Sequence, residues 1–289
     1  MSIRKMFVEP GHFYSPIPDQ SEVELYLDSD QFQRQKARVD AMLDYGAMAD
    51  LWRTIAPKAV SFPFEASRDF RYYGRNGQFL YFDATVLSAM LTMLNPRKVV
   101  EIGCGYSSAA MFDTFDRLDG ARLESFVCID PDMSRLDKLN PPNFVTRLEA
   151  KVQSCNLNVF SDLSDGDLLF IDSSHVLKTG SDLHFEYLEL LPRLGKGTIV
   201  HIHDVFYPFE YPPEWLLKDG RAWNEVYLVD LMLSHGTSWE VVFFNHAMIE
   251  NAPDVFETSP SVWKRFNEFS VPKWQRSIMA GSIWLRKRF

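Results

Sequence analysis

Val99-Val100-Glu101-Ile102-Gly103-Cys104-Gly105-Tyr106-Ser107-Ser108 decides how this chain folds. A β-branched run ends beside an acid, turns through Gly-x-Gly, and opens onto small residues suited to a helix start. Glycine supplies φ > 0 and lets backbone approach a bound molecule closely. The free amides at the start of the following helix point toward such a ligand. The pattern predicts a strand over Lys98–Ile102 and a helix over 107–115. A dinucleotide-binding turn wants a third glycine where Ser108 stands. An ordinary tight turn after a buried strand uses the same residues, so the remaining strands must decide.

Those strands recur in order. Phe126-Val127-Cys128-Ile129-Asp130 is apolar and ends in an acid. A carboxylate at that point can accept both hydroxyls of a nucleoside ribose; the same Asp130 can also cap a helix over 132–139. A third strand is predicted over 145–152, with Gln153 just after it. The runs 167–172 and 198–204 end in Asp172 and in His203-Asp204, with His175 three residues past Asp172. Polar groups at the carboxyl ends of neighbouring parallel strands are how an open α/β sheet builds a site. Two more strands, over Trp239–Phe244 and 282–285, are separated by an insertion containing a short helix near 262–269. That spacing fits a last strand running antiparallel.

The Glu101-x-Gly103-x-Gly105 form resembles the first motif of class I S-adenosylmethionine (SAM) methyltransferases. The resemblance covers about 82–289. It implies an α/β, Rossmann-like seven-stranded sheet with its last strand antiparallel and helices on both faces. It also implies that Glu101, Gly103, Cys104, Gly105 and Ser107 lie along the methionine portion of SAM. Asp130 would then meet the ribose and Gln153 the adenine, with Asp172 also counted among the cofactor-binding residues. The tips of the fourth and fifth strands are similar to those of metal-dependent small-molecule O-methyltransferases of the catechol type. Carried over by position, Asp172, His203 and Asp204 stand where that branch holds Mg²⁺, and His175 stands where it has a base. Asp172 and His203 count with His175 as catalytic groups. His203 departs from the pattern, because imidazole binds Mg²⁺ poorly and prefers softer divalent ions. Either the metal differs, or His203 is a second base, or there is no metal. His201 reads as a hydrogen-bonded core histidine; His184, His235 and His246 read as surface or packing.

The 289 residues are 46% hydrophobic and carry a net charge of -9. That balance argues against a nucleic-acid partner. No apolar run reaches membrane-spanning length, so no membrane partner is expected. Three cysteines without C-x-x-C spacing, and an N-terminus without a signal-like apolar core, point to a cytoplasmic protein. Residues 1–80 are expected to form an N-terminal arm and helical cap, and 81–289 the methyltransferase domain. Residues 1–30 read mostly as loop. A long helix is predicted over 32–55, bending at Gly46, and offers a cap or the surface of a homo-oligomer. The basic, aromatic stretch 62–78 reads as a packed loop or a contact for an acidic substrate. Asp83 is predicted to cap a helix that stops at Pro96. The aromatic, proline-rich stretch 205–223 resembles a lid over a small-molecule acceptor. Two other functions fit the same residues: an NAD-dependent oxidoreductase, and a non-catalytic SAM-fold module that docks a partner through its N-terminal helix.

Overall fold

The computed structural model describes residues 6–257 and 280–289. Three helices come first: α1 (Gln20–Leu27), α2 (Asp30–Asp40) and α3 (Tyr45–Ile55). Each has a side-chain cap, from Asp19, Ser29 and Asp44 respectively. These caps correct two expectations. Asp19 starts a helix within the stretch read as loop. The helix expected over 32–55 breaks at 41–44, where Asp44 accepts from the Ala47 amide at 2.9 Å and opens a new helix.

Helix α4 (Tyr81–Leu94) is buried at every position from Tyr81 to Leu91. A helix apolar all round belongs inside a core. It ends at Asn95, whose left-handed backbone (φ 44) returns its amide to the Leu91 carbonyl. Asp83 does not cap it. The residue lies inside the first turn, buried, and accepts from Asn245 Nδ2 at 2.5 Å and Gly281 N at 3.0 Å.

The chain then alternates: β1 (Lys98–Ile102), α5 (Tyr106–Phe115), β2 (Ser125–Asp130), α6 (Ser134–Asp137), β3 (Val145–Glu149), α7 (Asn158–Ser161) and β4 (Leu168–Ile171). Helix α8 (Asp182–Phe185) continues through a wider π turn, Glu186–Leu190, to β5 (Ile199–His203). Then follow α9 (Pro213–Leu217), α10 (Glu225–His235), β6 (Trp239–Phe244), α11 (Asn245–Asn251), α12 (Asp254–Glu257) and β7 (Ser282–Lys287). The helix expected near 262–269 lies outside the described residues.

The described strands form one seven-stranded sheet ordered β3-β2-β1-β4-β5-β7-β6. Strands β1 to β5 pair in parallel, while β7 runs antiparallel to both β5 and β6. This bears out the predicted Rossmann-like sheet, with helices packed around it. The centre is buried on both faces: β4 and β5 expose nothing, which is why they read as unbroken apolar runs. Strand β3 lies at the edge and stops at Glu149, short of the predicted 152. Gln153 therefore sits in the tight turn Val152–Ser154 that follows. No helix among the described residues is long and apolar enough to cross a membrane.

Helix α3 shares the core of the sheet. Trp52 of α3 is fully buried, its ring centroid 6.1 Å from Phe82, 6.3 Å from Phe243 and 5.0 Å from Phe256. It thus ties α3 to α4, β6 and α12. Trp52→Ala is expected to cost about 3–5 kcal/mol, measured as a shift in the urea midpoint.

Candidate active site

The strand order reverses between β1 and β4, so the connections leaving the carboxyl ends of these two strands part and open a crevice. The turn after β1 is built for close approach. Gly103 has φ +80, and a Cβ there would lie 1.8 Å from the Asp172 carbonyl oxygen. Gly103 N donates to Ile129 O at 2.9 Å and Asp172 N to Ile102 O at 2.8 Å, tying the tips of β1, β2 and β4 together. The Asp130 carboxylate accepts from Cys104 N at 2.9 Å and Asp132 N at 2.8 Å, pinning the turn from the far side.

Glu101 lies behind this turn rather than in the crevice. It is fully buried, and its two oxygens accept from Ser107 Oγ and Ser108 Oγ, each at 2.6 Å. Burial pushes its acid up to about 8, against the pull of those hydroxyls and Cys128. Cys104 and Ser107 are buried beside it. The side chains of Glu101, Cys104 and Ser107 are thus packed behind the glycine turn and do not line the crevice. Gly105 is extended at φ 177.

Above the turn lies a cavity of about 550 Å³ lined by Gly103, Asp130, Gln153 and Asp172, with Ser174 and Lys178 opposite. Four of the residues proposed for a cofactor therefore meet around one space. Gln153 Nε2 donates to Gly180 O at 3.0 Å across its edge.

Asp172 also belongs to a second cluster, at the tips of β4 and β5. His175 Nε2 lies 3.4 Å from Asp172 Oδ1 and 3.5 Å from Asp204 Oδ2. Its Nδ1 lies 2.7 Å from Glu225 Oε2. His175 and Asp204 both have left-handed backbones, φ 58 and φ 54. Such strain in non-glycine residues concentrates at functional sites, where surrounding structure enforces it. His203, buried, shares a 3.1 Å hydrogen bond through Nδ1 with Ser282 Oγ and has Nε2 at 3.6 Å from Asp204 Oδ1. Asp172, His203 and Asp204 each offer a ligand atom, all within 4.8 Å of one another.

Charge governs this cluster. Burial disfavours a charged His175, but contacts with Asp172, Glu225 and Asp204 outweigh it and raise its pKa well above the usual value. His203 is raised in the same way, burial being overcome by Asp204, Asp172 and Asp83. Burial pushes Asp172 up, yet His203 and His175 hold it below the ordinary carboxylate range. Asp204 is raised, burial exceeding the pull of the same two histidines. Two carboxylates and one imidazole nitrogen suit a divalent cation that accepts both oxygen and nitrogen.

His201 takes no part. It is buried, stacked on Phe170 with centroids 4.1 Å apart, and burial lowers its pKa well below the usual value. It is the predicted core histidine, but among the described residues its ring nitrogens have no hydrogen-bond partner.

Residues 100–205 match a family described as a methyltransferase domain. That span runs from β1 to just past β5 and holds Asp130, Asp172, His175, His203 and Asp204. Over that span the chain is similar to a methyltransferase domain. Among solved structures, the domain is similar to CmcI in an N160 apo form, at 18% identity over 57% of this chain and 65% of that one, TM-score 0.37. This chain thus spans about two thirds of that CmcI chain. It is also similar to a D160 form of CmcI with Mg and SAM, at 16% identity over 86% and 97%, TM-score 0.39. A third likeness is to the methyltransferase PaMTH1 of Podospora anserina with SAH bound, at 13% identity over 92% and 98%, TM-score 0.43. A search of curated protein sequences found no match.

Sequence reasoning missed two acids that border this cluster. Glu225 opens α10 fifty residues beyond His175 and carries no local motif. Asp83 lies 4.0 Å from His203 Nδ1. Its signal was present and misread: an acid inside a largely apolar helix is a buried partner more readily than a cap.

Proposed function

We propose that this protein transfers a methyl group from SAM to an oxygen of a small-molecule acceptor, such as a sugar or natural product. One observation carries the reading: Asp172 is shared between the cavity over the glycine turn and the cluster of His175, His203 and Asp204. A cofactor in the first would therefore lie beside proton-handling groups in the second.

When bound, SAM supplies an activated methyl group, so the protein's task is to position the acceptor and manage its proton. Gly103 keeps the floor of the cavity open to the cofactor, and Asp130 faces it from the tip of β2. Asp172, Asp204 and the nitrogen of His203 are the groups that would hold a divalent cation. Such an ion lowers the pKa of a hydroxyl beside it. His175 serves as the base. With the charges of Asp172 and Asp204 offset by a cation, the imidazole loses two of the three carboxylates favouring its protonated form, and Nε2 can take the acceptor's proton. The aromatic stretch after β5 supports the acceptor wall: Trp223 lies against the His175 ring at 4.5 Å and Tyr211 against Trp223 at 5.8 Å.

Thermal unfolding with added ligands tests this. At a hundred times Kd, SAM or its demethylated product should stabilise the protein by about 2.7 kcal/mol, roughly 5–10 °C in Tm. NAD should do nothing; a shift with NAD and none with SAM would overturn the reading. Calorimetry with Mn²⁺ tests the cation, with binding expected in the wild type and lost in Asp204→Asn.

A further inference from the structure

We infer that Glu225 is a positioning residue for His175, fixing which ring nitrogen faces the reaction. This deepens the function proposed above and rests on it. The contact at His175 Nδ1 is 2.7 Å, within strong hydrogen-bond range, whereas both Nε2 distances, 3.4 and 3.5 Å, exceed it. The ring is thus committed on one side and free on the other.

The partner on the committed side only accepts. Glu225 is fully buried, and its second oxygen already accepts from Tyr187 OH at 2.9 Å. A carboxylate anchored this way requires a proton on Nδ1, which places the lone pair of a neutral imidazole on Nε2, facing Asp172 and Asp204. The backbone enforces the same geometry. Asn224 N donates to His175 O at 3.0 Å, and Leu177 N donates to Asn224 Oδ1 at 2.6 Å. The loop bearing the histidine is therefore clamped to the residues that bring Glu225 in. Glu225 touches neither cavity nor acceptor; it acts through the ring.

Long-range ¹H–¹⁵N spectra of the full chain with ¹⁵N-labelled histidine, recorded at a pH where the His175 ring is neutral, read its tautomer directly, with His175 assigned by its disappearance in His175→Gln. The wild type should show a slowly exchanging Nδ1 proton. Glu225→Gln can donate to that nitrogen, so the signal should be lost or move to the opposite tautomer. An unchanged His175 pattern in a folded Glu225→Gln protein would overturn the inference. Tyr187→Phe carries the test if that variant unfolds: it removes one anchor of the carboxylate and should speed Nδ1 exchange about tenfold, and unaltered exchange would likewise overturn it. SAM titrations of the wild type separate the two ideas. Absence of SAM binding defeats the proposed reaction, while the tautomer result still decides the role of Glu225.

Discussion

Gly103→Ala should cost more than about 4 kcal/mol of stability, in the range reserved for steric failure at a special backbone position. The left-handed conformation alone accounts for about 1–2 kcal/mol. The remainder comes from collision. The new methyl carbon would meet the Asp172 carbonyl oxygen at 1.8 Å and its carbon at 2.7 Å. Backbone cannot rotate away as a flexible side chain can, so the tips of β1 and β4 must part. That displaces Asp172 and narrows the cavity, and SAM affinity should fall about 100-fold, near 3 kcal/mol. Gly180 is the control. It lines the same cavity with φ +69, but a Cβ there meets nothing within 4 Å. Gly180→Ala should therefore cost only about 1 kcal/mol and leave SAM affinity within a few-fold. Urea denaturation and calorimetry on both variants separate conformational strain from collision; equal losses would refute the steric account.

The contrast between these glycines shows what a sequence can and cannot display. Strands β1, β2, β4 and β5 were legible because the centre of a parallel sheet is covered on both faces and admits only apolar runs. Their carboxyl-terminal acids were legible for the opposite reason, since a polar residue closing such a run has few structural uses. Gly103, Asp130, Gln153 and Asp172 do surround one cavity, and His175, His203 and Asp204 do gather beside Asp172. Roles that depend on the partner were not legible. Glu101 belongs to the same motif as Gly103, yet it faces the helix and not the cavity, because Ser107 and Ser108 come round beneath it on the first turn of α5. The break between α2 and α3 was decided by one cap at Asp44, a local preference that the apolar stripe running through 32–55 concealed.

Glu101 makes the second large prediction, through pH. Its folded-state pKa is about 8 against an ordinary 4.5, raised chiefly by burial. Below pH 4.5 the group holds its proton in both folded and unfolded chains and contributes no pH dependence. Between 4.5 and 8 the unfolded chain releases the proton while the folded protein keeps it. Unfolding is then increasingly favoured, by about 1.4 kcal/mol per pH unit. Above 8 both states are ionised and the loss levels off, at a total on the order of 5 kcal/mol. Glu101→Gln removes this term while keeping a neutral side chain of the same shape between the two serine hydroxyls, which can turn to accept from the new amide. The variant should match the wild type within about 1 kcal/mol at pH 5. By pH 9 it should be several kcal/mol more stable than the wild type. Groups elsewhere titrate alike in both proteins and drop out of the difference. Stability curves that run parallel from pH 5 to 9 would mean that Glu101 is ionised in the folded protein, and that the serines hold a carboxylate rather than an acid beneath the glycine turn.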